Sequence, residues 1–163
     1  MTDPRVHVRP ARAADADAVG AMARDLSGQT VRLRFMGGIA RDVAVGELRR
    51  EILSGTDGIA LVAEDERGAI VGEAYAALVD ARTAEAAFVV ADAWQHHGVG
   101  TALRTVLFDE LRKRGVRRVQ LETFPDNLAL RHLVKDARLP TSERFSEGTI
   151  AIEVDLRASQ PAA

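Results

Sequence analysis

Gln95-His96-His97-Gly98-Val99-Gly100, followed by Thr101, lies between an apolar run and a long stripe of regularly spaced Leu and Val. Gln-x-x-Gly-x-Gly at such a junction is a device for holding phosphate. The first turn of a helix has amide groups with no partner inside the helix, and the aligned peptide dipoles make that end positive. Glycines at 98 and 100 remove side chains that would keep a pyrophosphate away from those amides. No acid lies between Asp92 and Asp109, so the dipole is left for a ligand to satisfy. A tight strand-to-helix turn with two glycines would leave the same pattern. Upstream, Glu85 leads a segment otherwise built from Ala, Phe and Val, an expensive place for an unpaired carboxylate. At a strand end it can equally be solvated or paired with Arg82. Glu73 and Glu122 are the other acids in strand-like segments.

These residues need a strand, a turn and a helix to position them. Arg5–Arg9 alternates as a short strand, and Val19, Met22, Ala23 and Leu26 recur at helical spacing between Asp15 and Leu26. Ser27-Gly28 reads as the stop of that helix, with glycine in the left-handed cap conformation. Residues 29–38 are ambiguous, since Val31, Leu33 and Phe35 alternate with Arg32 and Arg34. Val45, Leu48 and Ile52 mark another helix, stopped by Gly55. Strands follow at Gly58–Glu64, Ala69–Val79 and Ala84–Ala91, the first two joined by Asp65-Glu66-Arg67-Gly68. Val99, Leu103, Val106, Leu107 and Leu111 form one stripe of a long helix, closed by Arg112-Lys113-Arg114 and Gly115. A strand at Val119–Leu121, a helix at Asn127–Ala137 and a strand at Thr149–Leu156 complete the order β-α-α-β-β-β-α-β-α-β. This is an α/β chain with a mixed, mostly antiparallel sheet flanked by helices.

The chain has 163 residues, with no repeat or linker to divide it. A single domain is expected over residues 1–157, with a disordered tail at 158–163. With 22 Lys+Arg against 24 Asp+Glu, the net charge of −2 speaks against a phosphate backbone or an anionic membrane as main partner. Five basic residues among positions 112–118 are explained by helix capping and solvation, without interleaved aromatics. The absence of cysteine excludes disulfides, cysteine–zinc sites and thiol nucleophiles. His96 and His97 are adjacent and point different ways, and His7 and His132 are scattered, so no metal site is expected. Ser27 and Thr101 read as cap or turn hydroxyls. No signal peptide or membrane-length apolar run is apparent, and a cytoplasmic location is the expectation.

With these segments in place, the chain resembles the GNAT (Gcn5-related) N-acetyltransferase family over almost its whole length. The family signature Q/R-x-x-G-x-G/A is Gln95–Gly100 here, after a strand and before an amphipathic helix, and Asn127 follows the next strand where the family commonly has an Asn. The likeness is closest to the bacterial protein-lysine acetyltransferase branch. It is carried by Leu26-Ser27 with Arg32-Leu33-Arg34-Phe35, by Ala84-Glu85-Ala86-Ala87-Phe88-Val89-Val90, and by Ser146-Glu147-Gly148 leading into Ile152–Leu156.

The resemblance implies acetyl-CoA as acyl donor, with its pyrophosphate on the amides of Gln95, His96, His97, Gly98, Val99, Gly100 and Thr101. It implies pantetheine paired with Phe88, Val89 and Val90 by strand addition, beside Asn127. It also implies a primary amine as acceptor, a protein lysine in the resembled branch, and no metal. An ammonium has no lone pair, so acyl transfer benefits from a base; Glu85 matches the Glu that serves this purpose in the resembled branch. The tyrosine that many members carry seven residues after the Asn falls on Val134, and the only tyrosine is Tyr75. Two function classes therefore stand: an N-acetyltransferase, and an acyl-CoA-binding sensor with weak turnover. A Rossmann reading fails because the first glycine of G-x-G-x-x-G is missing and three strands precede the turn. Arg32 and Arg34 beside Phe35 are candidates for an acceptor-side wall or for an ordinary amphipathic surface. The oligomeric state is open, a homodimer included.

Overall fold

The computed structural model describes residues 5–55 and 58–158. Seven strands form one sheet: β1 (Val6–Pro10), β2 (Gly58–Asp65), β3 (Ile70–Asp80), β4 (Thr83–Val90), β5 (Arg118–Thr123), β6 (Thr141–Ser146) and β7 (Thr149–Asp155). They lie in the order β1-β2-β3-β4-β5-β7-β6. Every neighbouring pair is antiparallel except β4–β5, which is parallel. The helices are α1 (Ala16–Arg24), α2 (Gly28–Phe35), α3 (Arg41–Leu53), α4 (Val99–Lys113) and α5 (Leu128–Lys135).

Strand alternation divides the core in two. Ala84 and Ala86 of β4 join a cluster with Leu103, Leu107 and Leu111 of α4, all three fully buried, and with Val134 of α5. Val89 faces the other way, into a cluster with Val19 and Ala23 of α1, Val31 of α2 and Leu48 of α3. Each fully buried leucine contributes roughly 1.5–3 kcal/mol relative to exposure. Gly72 on β3 lets α4 lie close to the sheet, since a Cβ there would meet Val99 and Leu103 side-chain atoms at 3.1 Å.

The structure corrects four details of the sequence reading. First, α1 stops at Arg24, and Ser27-Gly28 opens a further helix instead of ending the previous one. The Ser27 hydroxyl caps α2 by accepting from the Thr30 amide at 3.1 Å, and Gly28 is not among the residues of positive φ. Second, the ambiguous residues after it are helical to Phe35, where Met36 closes the helix in the left-handed conformation. Third, β6 has no counterpart in the sequence reading: all six of its residues are exposed, so no burial alternation marks it. The element string is thus longer by one helix and one strand, within the same mixed-sheet architecture. Fourth, Ala158 packs against the α4-side cluster instead of belonging to a tail; residues 159–163 lie outside the described residues.

The feature that positions the site is the short β4–β5 seam. Those strands pair only at Thr83↔Arg118, Ala84↔Val119 and Glu85↔Gln120. Beyond Glu85, β4 continues to Val90 bound only to β3, while β5 continues to Thr123 bound only to β7. The five residues Ala86–Val90 thus border a cleft about 16 Å long at strand rise.

Candidate active site

The cleft has two banks. On the β4 bank, Phe88 and Val90 pack against the α4-side cluster, and Val89 is buried in the other. With the side chains anchored on both faces, the backbone edge is what β4 offers to the cleft. The Val90 carbonyl already accepts the Gln95 side-chain amide at 3.1 Å.

The turn beyond β4 delivers the chain into α4. Gly98 is the N-cap residue at φ +85°, a left-handed conformation that glycine adopts without penalty. His96 also has a positive φ, +63°, at a cost of order 1 kcal/mol for a residue with a Cβ. Val99 is buried, His96, His97 and Thr101 are exposed, and Gly100 is half-buried. The first turn of α4 has no acidic residue and no side-chain cap. Its leading amides are therefore free to bind an anion, and the helix dipole favours one there. The residues fit a pyrophosphate.

On the β5 bank, Asn127 caps α5. Its Oδ1 accepts from the Leu130 amide at 3.2 Å, and its Nδ2 donates to Thr123 Oγ1 at 2.9 Å. Both polar atoms of that side chain are thus engaged within the protein. Val134, at the position of the missing tyrosine, is in the core at 2% exposure. Tyr75 is half-buried on β3, opposite Ala87.

Glu85 is exposed and belongs to the last facing pair before the strands part. No ion pair to Arg82 is formed. Glu85 lines a cavity of about 480 Å³ together with Gln120, Glu122, Ser142, Arg144 and Glu153. Glu122 also accepts from Thr149 Oγ1 at 3.0 Å. Two of the three strand acids are thereby brought to one place. The third is not: Glu73 is fully buried on β3, across from Glu51 of α3 and Arg34 of α2. Arg34 is bound to Glu51 at 2.7 and 2.9 Å and stands 3.8 Å from Glu73, near enough for attraction but too far for a hydrogen bond. Burial, then the charge of Glu51, push the Glu73 carboxyl well above the usual range, with Arg34 opposing. Arg34 is consequently an interior residue and not an acceptor wall.

Arg32 does reach the cleft. Its guanidinium stacks over the Phe124 ring at 4.4 Å and pairs with Asp126 at 3.1 Å, so α2 spans from the β4 bank to the β5 bank. The sequence reading missed Thr30 and Asp92, which link α2 to the turn before α4. The Ser27-x-x-Thr30 spacing of a helix cap was the available signal. Among the described residues, no group of three or more His, Asp or Glu is placed to hold a metal ion, and no helix is long and apolar enough to cross a membrane.

Comparisons with known proteins bear on this geometry. The model of the acetyltransferase (GNAT) family matches residues 33–137. The chain is similar to the GNAT domain of S. lividans PAT, with 25% identity, 92% of this chain and 90% of that one covered, and a TM-score of 0.81. It is similar in fold to a Sinorhizobium meliloti phosphinothricin acetyltransferase solved with AcCoA (20% identity, 93% and 88% covered, TM-score 0.70). The same holds for a Vibrio cholerae spermidine N-acetyltransferase solved with CoA and spermine (14% identity, 93% and 96% covered, TM-score 0.71). A search of curated proteins finds no match.

Proposed function

The chain belongs to the GNAT acetyltransferase family, and we propose that it transfers the acetyl group of acetyl-CoA to a primary amine with Glu85 as general base. The observation that carries this reading is the free β4 edge running directly into an acid-free, uncapped helix N-terminus. An extended amide-bearing arm fits the first, and a pyrophosphate fits the second. Phe88 and the Val90 amide bind through the free backbone edge, and Val89, whose backbone faces β3, holds that edge in place. His96 to Thr101 supply amides, the Gln95 amide being given to the Asp92 carbonyl at 3.3 Å, and Asn127 holds the opposite bank.

Acetyl-CoA supplies an activated thioester when bound. Glu85 stands at the closed end of the cleft, on the sheet face that also carries Glu122 and Glu153. Its carboxylate takes a proton from the acceptor ammonium, directly or through one water, and frees the nitrogen lone pair to attack the acetyl carbonyl. As the carbon–nitrogen bond forms and the carbon–sulfur bond breaks, the nitrogen gives its second proton to solvent, and the thiolate leaves and is protonated by solvent, because Val134 provides no acid. The three acids favour a cationic acceptor, and a lysine side chain of a protein is the acceptor that the sequence resemblance points to.

The buried Val134 also supports a second reading, an acyl-CoA sensor with little turnover. Incubation with acetyl-CoA and a panel of lysine peptides, polyamines and aminoglycosides, read by mass spectrometry, separates the two. An acetylated amine with equimolar free thiol is the expected result. Tight acetyl-CoA binding with no product on any acceptor would replace the enzyme by the sensor.

A further inference from the structure

We infer that Thr30, on the helix facing the phosphate turn, is a positioning residue for acetyl-CoA: it holds the Gln95 amide against the Val90 carbonyl, fixing both the turn and the end of the free β4 edge. The inference rests on the reading above that acetyl-CoA occupies that edge.

Thr30 Oγ1 donates to Asp92 Oδ2 at 3.2 Å. It accepts from Gln95 Nε2 at 3.1 Å and from Ser27 Oγ at 3.1 Å. A hydroxyl has one hydrogen and two lone pairs, so the whole capacity of this one is used. Gln95 Nε2 directs its second hydrogen to the Val90 carbonyl at 3.1 Å. Asp92 closes the circuit by accepting the Ser27 amide at 3.0 Å. Burial raises the Asp92 pKa, but hydrogen bonds from Ser27 and Thr30 more than offset it and hold the carboxyl below its ordinary range.

Two consequences follow for the ligand. With the Val90 carbonyl taken, the pairing edge stops there, and the arm must turn toward α4 at that point. The cofactor turn is also tied to α2, the helix that carries Arg32 across the cleft to Asp126. The two banks of the cleft therefore share one connection, in which a single hydroxyl oxygen is central.

Thr30→Val keeps the volume and removes all three bonds of that oxygen. Calorimetry and steady-state kinetics on the intact protein are expected to show acetyl-CoA Kd and KM raised roughly three- to tenfold, as for partly exposed hydrogen bonds, with kcat and acceptor KM near wild type. Thr30→Ser should restore most of the loss. Gln95→Leu should give a similar defect, and the double variant should be no worse than the larger single one. In the wild-type protein, saturating acetyl-CoA should slow amide exchange in residues 28–35 as well as in 92–98, a readout that holds even if the valine variant folds poorly. Unchanged acetyl-CoA affinity in a folded Thr30→Val, or no protection of α2, overturns the assignment of Thr30 while leaving acetyl-CoA binding intact. No binding by the wild-type protein overturns the parent reading, and this one with it.

Discussion

Glu85 on β4 and Gln120 on β5 are the last facing pair before the two strands part. The only carboxylate of β4 is thereby held where the cleft closes, at a fixed height on a ladder rather than on a loop. Glu122, on the face of β5 shared with Gln120, is the competing acid.

Glu85→Gln should lower turnover by about 10²–10⁴, the usual value of a general base, with acetyl-CoA affinity near wild type. The deficit should shrink as pH rises, because more acceptor is then already neutral. Rate–pH profiles of Glu85→Gln and Glu122→Gln with one competent amine decide the matter: a silent Glu85→Gln beside a crippled Glu122→Gln moves the base to β5.

Gly100 and Gly98 should separate ligand binding from folding. A Cβ at Gly100 would lie 3.6 and 3.7 Å from the Leu133 methyls, an ordinary contact. Gly100→Ala should therefore unfold at the wild-type temperature, and Gly100→Glu should lose acetyl-CoA binding by calorimetry. Gly98→Ala, forced to φ +85°, should cost about 1–2 kcal/mol in denaturant unfolding.

Glu73 makes a pH prediction with a definite sign. Its folded pKa lies well above its unfolded value near 4.5, so the folded protein binds more protons and stability falls as pH rises above that value. Glu73→Gln keeps the shape without the charge. It should be more stable than wild type at pH 8, with the gap closing toward pH 5, as read from urea midpoints. An equal gap at both pH values would show that Glu73 does not titrate in this range.

Ligand linkage gives the fourth test. Acetyl-CoA or CoA at 100 times its Kd adds about 2.7 kcal/mol, a rise of roughly 5–10 °C in Tm for a domain of this size. NAD and NADP should give none. Stabilisation by NAD alone would overturn the acetyltransferase reading of the site.

The long α4 stripe and the glycine turn were legible because burial and backbone geometry impose their periods directly on residue type. Leu103, Leu107 and Leu111 recur at a spacing that only a helix with one buried face explains. Where burial is absent, that signal vanishes: Thr141–Ser146 is a strand by pairing with β7 alone. In α2 the apolar residues alternate, yet only Val31 is buried, and the Ser27 cap decides for helix. Glu85 and Glu122 could be named from the sequence, but their common cavity depends on strand register, which no local pattern encodes. The Ser27-x-x-Thr30 spacing hinted at a cap, but the link from Thr30 to Asp92 was hidden for the same reason. Two polar residues 62 positions apart become partners only once α2 lies over the end of β4.

A seven-stranded sheet ordinarily has two margins. This one is also open in its interior, along Ala86–Val90. The outer margins carry their own guards against stray pairing, Pro10 on β1 and Glu143 with Arg144 on β6. The inner margin, Ala-Ala-Phe-Val-Val, has none in its sequence. Its protection is steric: the β5 bank stands opposite, and Arg32 crosses to Asp126 overhead. A second sheet could pair there only by displacing both, so the fork shields its own inner margin from aggregation partners.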